Sequence, residues 1–361
     1  MEKIKVGIIG CGGIARGKHY PSLKKMDDVE IVAFCDIIPE RAQKLCDDYG
    51  NPNAKVYTDY KELLKDESIV AVHVLTPNRS HSFITIDALE AGKHVMCEKP
   101  MAKTAAEARA MVDAAKRTGK ILTIGYQNRY RNDSRYMKAA CEAGDLGDIY
   151  YAKAHAIRRR AVPTWGVFLN EYEQGGGPLI DIGTHALDLT LWMMNNYKPK
   201  MVVGQTFKKI PGGPGTGNAW GDWKEDEFTV EDSAFGFIVM ENGAVISLES
   251  SWALNTLDVI EAKTTLCGTK AGADMRDGVR INGVKYGKQY VEKPNLDVGG
   301  VAFFEGSSGS KPEEIEARVF YNAIEKGTPL TVLPEQALVV TEILEAIYKS
   351  AKTGAPVYFD K

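Results

Sequence analysis

The chain has 361 residues, 44% of them hydrophobic, and a formal net charge of -3. That length suggests two domains with ample apolar side chain for a core, and the mild acidity does not favour nucleic acid, whose binding needs a basic surface. No apolar run approaches the ~20 residues of a membrane span. Ile8-Ile9-Gly10-Cys11 looks like a lipoprotein cleavage site, but the apolar segment before the cysteine, Val6 to Gly10, is far shorter than the apolar core of roughly 7–15 residues in a signal peptide.

The first third alternates apolar runs with helical patterns. Strands are predicted at Ile4 to Ile9, Val29 to Cys35, Ile69 to Leu75 (apolar throughout except for His73), His94 to Cys97 and Ile121 to Gly125. Helices are predicted after the glycine turn up to Met26, at Glu40 to Tyr49, Tyr60 to Lys65, His81 to Ala91 and Thr104 to Thr118. This alternation implies a parallel sheet with helices on both faces. Past Tyr126 the pattern changes. Helices are expected at Asp133 to Ala143 and Thr184 to Asn195, and strands at Asp148 to Arg159, Met201 to Phe207, Glu231 to Met240, Ala244 to Trp252 and Val259 to Leu266. Strands in series imply an open, mainly antiparallel sheet. Pro211 to Gly217 reads as a mobile loop, and Glu313 to Lys326 and Pro334 to Lys352 as closing helices. None of the six cysteines forms a C-x-x-C pair, so they read as reduced core residues of a cytoplasmic protein.

Gly10-Cys11-Gly12-Gly13-Ile14-Ala15 matches G-x-G-x-x-A between a strand and a helix, the context that gives the pattern meaning. Gly10 permits the tight turn, Gly12 lets backbone approach a pyrophosphate, and Ala15 allows close helix–strand packing. The backbone of Gly13 and Ile14 opens the helix, whose N-terminus favours anions. Asp36 ends the second strand, where a carboxylate can take hydrogen bonds from an adenosine ribose; a turn-capping role before Pro39 is the competing reading. Its charge would repel a 2'-phosphate, which favours NAD over NADP, although Arg41 can offset this. Thr76-Pro77-Asn78 follows the next strand and is a second expected cofactor contact. His81 is either part of it or a surface helix-start residue.

Glu98-Lys99-Pro100 follows the strand ending at Cys97. Lys99 there would point toward the nicotinamide, where a second positive charge readies an amine to exchange a proton with a reacting hydroxyl; a solvated turn is the plain alternative. Further on, Gly175-Gly176-Gly177 leads to Asp181, His185 and Asp188. If this stretch is helical, all three share one face, and a carboxylate beside the imidazole suits proton exchange. Alternatives are a helix cap with a buried polar histidine, or a metal site, for which the ligand set is thin even with His155 added. No G-x-S-x-G elbow supports a hydrolase triad.

With these residues in order, the chain resembles the glucose-fructose oxidoreductase/inositol dehydrogenase/rhizopine-catabolism (Gfo/Idh/MocA) family. The motifs are Gly10-Cys11-Gly12 with Ala15, Thr76-Pro77-Asn78 with His81, Glu98-Lys99-Pro100, and Gly176-Gly177 leading to Asp181 and His185. The resemblance implies an α/β protein with a Rossmann dinucleotide-binding domain over 1–127. Over 128–361 it implies a C-terminal α/β domain with a large, mainly antiparallel open sheet, whose final helix can pack back on the first domain. It implies that Lys99, Asp181 and His185 line the reacting carbon, with His185 the proton acceptor, and that Glu98 sits near the cofactor. It places Gln127, Asn128 and Arg129 against substrate or nicotinamide, Asn128 on the cofactor side. For the substrate itself, Arg158, Trp165, Tyr172 and Trp192 are candidates, each equally explicable as packing or ion pairing. The approach Arg158-Arg159-Arg160 to Trp165 resembles members acting on intact glycosides.

The implied activity is NAD-dependent hydride transfer at a hydroxyl-bearing carbon of a sugar, cyclitol or glycoside, with no metal, in a homodimer or homotetramer joined through the C-terminal sheet. Two rivals remain open at this level. One is glycoside cleavage through transient oxidation at C3 by bound NAD, and the other is an inactive NAD-binding regulator.

Overall fold

The computed structural model describes residues 3–296 and 311–359. The chain divides into two compact units, Met1–Gln127 with Ser310–Leu338, and Asn128–Gly309 with Val339–Lys361.

In the first unit, six strands form one sheet: β1 (Ile4–Ile9), β2 (Val29–Cys35), β3 (Lys55–Tyr57), β4 (Ala71–Val74), β5 (His94–Cys97) and β6 (Leu122–Ile124), in the order β3-β2-β1-β4-β5-β6. Every pairing is parallel. Parallel strands are covered on both faces, which is why β1, β4 and β5 read as largely apolar runs, broken by Lys5, His73 and His94. The strand order reverses between β1 and β4, and such sheets take ligands at the carboxyl ends of the strands beside that reversal. The glycine turn, Asp36, Thr76, Glu98 and Gln127 all follow carboxyl ends of these strands. β3 escapes sequence reading because three half-exposed edge residues give no period. The helix expected to start at His81 begins earlier, at Asn78. The helix Ala105–Thr118 opens with Thr104 and Glu107 capping each other reciprocally and stops at Gly119 in the left-handed conformation. The late helix Pro312–Lys326 completes this unit's core: Ala317, Phe320 and Tyr321 pack with Val6, Ile8, Ala15 and Phe34.

In the second unit, nine strands are found among the described residues: β7 (Ile149–Ile157), β8 (Pro199–Phe207), β9 (Ser233–Met240), β10 (Val245–Ser251), β11 (Ile260–Gly268), β12 (Ala271–Asp274), β13 (Arg280–Lys285), β14 (Lys288–Glu292) and β15 (Val357–Tyr358). Their order is β14-β13-β12-β11-β7-β10-β9-β8-β15. Only β7 and β10 run parallel, with Ile157 opposite Ser251 at their shared carboxyl end; the other pairings are antiparallel. Alternation in β7 buries Ala152, Ala154 and Ala156. The helix Thr184–Met194 is buried on nearly every side, its mainly apolar sequence interrupted by the buried polar residues His185, Asp188 and Thr190, and packs on β7 and β11. β12 to β14 were not foreseen, because they are short, glycine- and charge-bearing and largely exposed on one flank of the sheet, where burial imposes little pattern. The Pro211 to Gly217 segment forms no strand or helix. No helix of the described residues is long and apolar enough to cross a membrane.

Candidate active site

The cofactor side is built in the first unit. Gly10 has φ +95°, and a Cβ there would lie 2.7 Å from the Leu75 carbonyl, so only glycine fits between β1 and the Thr76 turn. A Cβ on Gly12 or Gly13 would meet nothing within 4 Å. The backbone at Gly12 and Gly13 is therefore open to an approaching ligand, the form a pyrophosphate cradle requires. Ala15 is fully buried, whereas Ile14 is partly exposed. Of the two roles raised for Asp36 from its sequence position, the turn cap is visible here. One oxygen accepts from the Ile38 N–H (2.9 Å), capping its own turn, and the other accepts from the Cys11 N–H (2.8 Å), tying β2 to the glycine turn. Arg41 is exposed on the following helix.

Thr76 is half-buried, Pro77 exposed and Asn78 buried. His81 is 1% exposed, so it is no surface helix-start residue. Its Nε2 lies 2.8 Å from the Thr76 carbonyl and its Nδ1 2.8 Å from the Pro100 carbonyl, so the ring sits between the Thr76 turn and the Lys99-Pro100 turn and, carrying one N–H when neutral, donates to one of them. Glu98 is buried. Its Oε2 accepts from the Lys99 backbone N–H (3.1 Å), while its Oε1 faces Lys18 Nζ (2.6 Å) and His19 Nε2 (2.8 Å). Burial acts against the Glu98 charge, but Lys18 and His19 outweigh it and hold the carboxyl well below its ordinary range. Gln127, in a single turn of 3-10 helix with Asn128, accepts from Lys18 at 3.4 Å.

The second unit holds the other group of expected residues. Asp181 lies in a wide π-helical turn, Leu179–Gly183, that leads into the helix bearing His185 and Asp188. The one-face expectation assumed regular α spacing, and a π turn changes which residues align. The three side chains have different surroundings. Asp181 accepts from the Trp252 indole N–H at 3.0 Å, and His185 is 8% exposed. Asp188 is locked in a bidentate pair with Arg129, at 3.0 and 2.5 Å. Arg129 is fully buried, so it forms part of the scaffold beneath the helix and cannot reach a soluble ligand directly. The glycine run is explained by protein neighbours: a Cβ on Gly176 would lie 2.0 Å from the Tyr348 hydroxyl, and one on Gly177 2.2 Å from the Glu231 carbonyl.

Trp252 and Arg158 follow the paired ends of β10 and β7. Arg158 forms a bidentate pair with Glu261 (2.6 Å twice) and lies over the Trp220 ring at 5.5 Å. Trp220 stands perpendicular to Trp165 at 4.8 Å between centroids, and both indoles are about half exposed. Hydrogen bonds between Asn218 and Val162 clamp the two loops that carry them. The remaining expected residues behave differently. Tyr172 is exposed, Trp192 packs under the Arg129 and Lys138 cations, Arg160 bonds Asn255, and His155 pairs within the sheet with Thr265 and Glu249. Sequence reading missed Lys18, His19, Glu316, Trp220 and Trp252. For the first two a signal existed, since adjacent basic residues beside the glycine turn have no reason to be apolar-facing unless they meet a buried acid. No group of three or more potential metal ligands occurs among the described residues.

With this geometry in hand, comparison with known proteins is informative. Residues 4–126 match the oxidoreductase family, NAD-binding Rossmann fold, and residues 138–359 its C-terminal alpha/beta domain. The chain is 37% identical over 355 residues to D-glucoside 3-dehydrogenase of Escherichia coli (strain K12), covering 98% of this chain and 97% of that protein. It is 32% identical over 197 residues to inositol 2-dehydrogenase of Salmonella typhimurium (strain LT2), covering 54% and 56%. A solved levoglucosan dehydrogenase in complex with NADH and L-sorbose shares the fold, with a TM-score of 0.81 at 23% identity over 99% of each chain.

Proposed function

The chain belongs to the Gfo/Idh/MocA family of NAD-binding oxidoreductases, and from that premise we propose that it is a sugar dehydrogenase whose substrate is an intact glycoside oxidised at a ring CH–OH. NAD, when bound, accepts the hydride. The chain's own residues do the rest. The backbone of Gly10 to Ala15 holds the pyrophosphate, Asp36 the adenosine ribose, and the Thr76 to Asn78 turn, braced by His81, the cofactor's middle. His185 takes the hydroxyl proton with help from Lys99, and Asp181 orients the reacting sugar. Asn128 and Gln127 are assigned to the nicotinamide and substrate ends. A cytoplasmic homo-oligomer joined through the nine-stranded sheet completes the reading.

The observation that carries the glycoside assignment is the half-exposed pair Trp165 and Trp220 with Arg158 beside them. Arg158 follows the same paired strand ends as Trp252, which holds Asp181, and lies over the Trp220 ring. Indoles of this kind stack on the apolar face of a sugar or on an aglycone, and a neighbouring guanidinium bonds hydroxyls. The glycoside-acting relative matched along nearly the whole chain supports the same assignment.

The test is a panel of cyclitols, free sugars and glycosides, read by absorbance of reduced nicotinamide and by product mass, repeated with Trp165→Ala. The expected outcome is turnover of glycosides in preference to free sugars, with the substitution raising KM about tenfold for an aryl glycoside and about twofold or less for the free sugar. Equal losses on both would reduce Trp165 to packing. Release of free aglycone without net reduced nicotinamide would replace oxidation by the elimination route.

A further inference from the structure

The helix turn after the glycine motif, Ala15–His19, is a π turn, and it presents two consecutive basic side chains, Lys18 and His19, to the interior, where they are 7% and 3% exposed. They open a chain of contacts that crosses the first unit. Lys18 Nζ lies 2.6 Å from Glu98 Oε1 and 2.8 Å from Glu316 Oε2. His19 Nε2 lies 2.8 Å from Glu98 Oε1, and its Nδ1 lies 2.8 Å from His73 Nδ1. His73 Nε2 lies 2.8 Å from the Tyr321 hydroxyl. His73 and Tyr321 are wholly buried, and Phe320 packs edge-on against the His73 ring. Four separate elements therefore meet here: the glycine-turn helix, β4, the end of β5 and the helix Pro312–Lys326. Six buried polar side chains in mutual contact need a reason, because each costs free energy unless its partners are in place.

The proton count fixes the chain's direction. A carboxylate only accepts, so His19 donates to Glu98 from Nε2. A neutral His19 then has a bare Nδ1, so His73 must donate from its own Nδ1. That leaves His73 Nε2 bare, and the Tyr321 hydroxyl donates to it. One arrangement satisfies every nitrogen and oxygen along the line with both histidines neutral, and burial pushes both imidazoles down in the same sense. At the far end, the other Glu98 oxygen holds the Lys99 backbone N–H.

We propose that Lys18, His19, His73 and Tyr321 are positioning residues: they hold Glu98 as an oriented carboxylate, and Glu98 in turn fixes the Glu98-Lys99-Pro100 turn from which Lys99 projects. On this reading the chain returns with Pro312–Lys326 to complete that support, since Glu316 and Tyr321 are its contributions. The consequence for turnover rests on Lys99 acting in the reaction, as proposed above; the tautomers do not.

The test is nitrogen-15 NMR of the full-length protein with NAD present and its six histidines ring-labelled and assigned by single substitution, combined with kinetics of His19→Leu and His19→Gln. The expected result is His19 protonated at Nε2 and His73 at Nδ1, neither ring titrating between pH 6 and 8. His19→Leu lowers kcat roughly ten- to hundredfold with KM for NAD nearly unchanged. His19→Gln, whose amide N–H reaches the same carboxylate, recovers most of it. The opposite tautomers, or a ring that titrates in that window, overturn the relay. Correct tautomers with an unchanged kcat in His19→Leu overturn its link to Lys99, provided Lys99→Ala is itself inactive. If Lys99→Ala is fully active while the tautomers stand, the fault lies with the assigned role of Lys99 and the relay survives.

Discussion

The first unit gathers Lys18, Glu98, Glu316, His19 and His73 into one connected interior cluster, whereas the second keeps its buried charges in separate local arrangements. Arg129 forms a bidentate pair with Asp188 and also donates to the Tyr197 hydroxyl, and Glu231 sits apart, accepting from Tyr348 and from the Gly177 and Leu179 N–H groups. In the cluster, Lys18 serves two carboxylates, so each member's charge depends on the others. In the pair, burial pushes the Asp188 carboxyl up, Arg129 opposes that shift, and the account closes between two side chains. A shared cation ties several elements to one turn, whereas the Arg129–Asp188 pair ties a single turn of 3-10 helix to one helix. The same contrast separates the expected catalytic residues, since Lys99 projects from a turn braced by the cluster and His185 from a helix braced by the pair.

The largest effect that sharpens this comparison is on turnover. Lys99→Ala and His185→Ala are each expected to lower kcat by about 10²–10⁴-fold, the usual worth of a proton-transfer group, measured by steady-state kinetics with thermal stability as the control. A full-speed variant of either residue removes it from the reaction. Next is the isolated pair. Arg129→Met or Asp188→Leu alone should cost about 3–5 kcal/mol by leaving a buried charge unmatched, and the double substitution should recover most of that loss. Urea titration of the three variants checks this, and full additivity would show that the two do not act as a pair. The smallest effect lies in the cluster. Glu316 is within ion-pair distance of Lys18 but receives no aligned hydrogen bond among the described residues, and burial lifts its carboxyl to about 7. A carboxyl raised in the folded state binds protons more tightly there than in the unfolded chain, so stability falls as pH rises from the ordinary carboxyl range through about 7. Glu316→Gln lacks that proton equilibrium. The variant should gain on the parent by about 2–3 kcal/mol between pH 5 and pH 8, read as the difference between their unfolding free energies. A constant difference across that range would show that Glu316 is already ionised at pH 5.

Much of the fold was legible because the signals were local. Parallel strands buried on both faces leave apolar runs, and β1, β2 and β5 lie where such runs stand. The Thr104 cap, Gly119 and the glycine turn each require particular residues at particular backbone angles. The weakly patterned edges, β3 and β12 to β14, were lost because half-exposed strands constrain their side chains little. Among the site residues, position along the chain placed the glycine turn, Asp36, Thr76 and Glu98 at strand ends. It did not reveal that His81 lies buried between the Thr76 and Pro100 carbonyls, or that the glycines at 176 and 177 make room for Tyr348 and Glu231.

What the sequence determined by itself was the order of the strongly patterned elements, the dinucleotide turn and the family, all of which depend on spacing over a few residues. Tertiary structure alone decided the partners. Asp188 meets Arg129 across 59 residues, Asp181 meets Trp252 across 71, and His73 meets Tyr321 across 248. The physical reason is that a buried polar group is satisfied by whatever the fold brings within about 3 Å, and chain separation carries no record of that encounter.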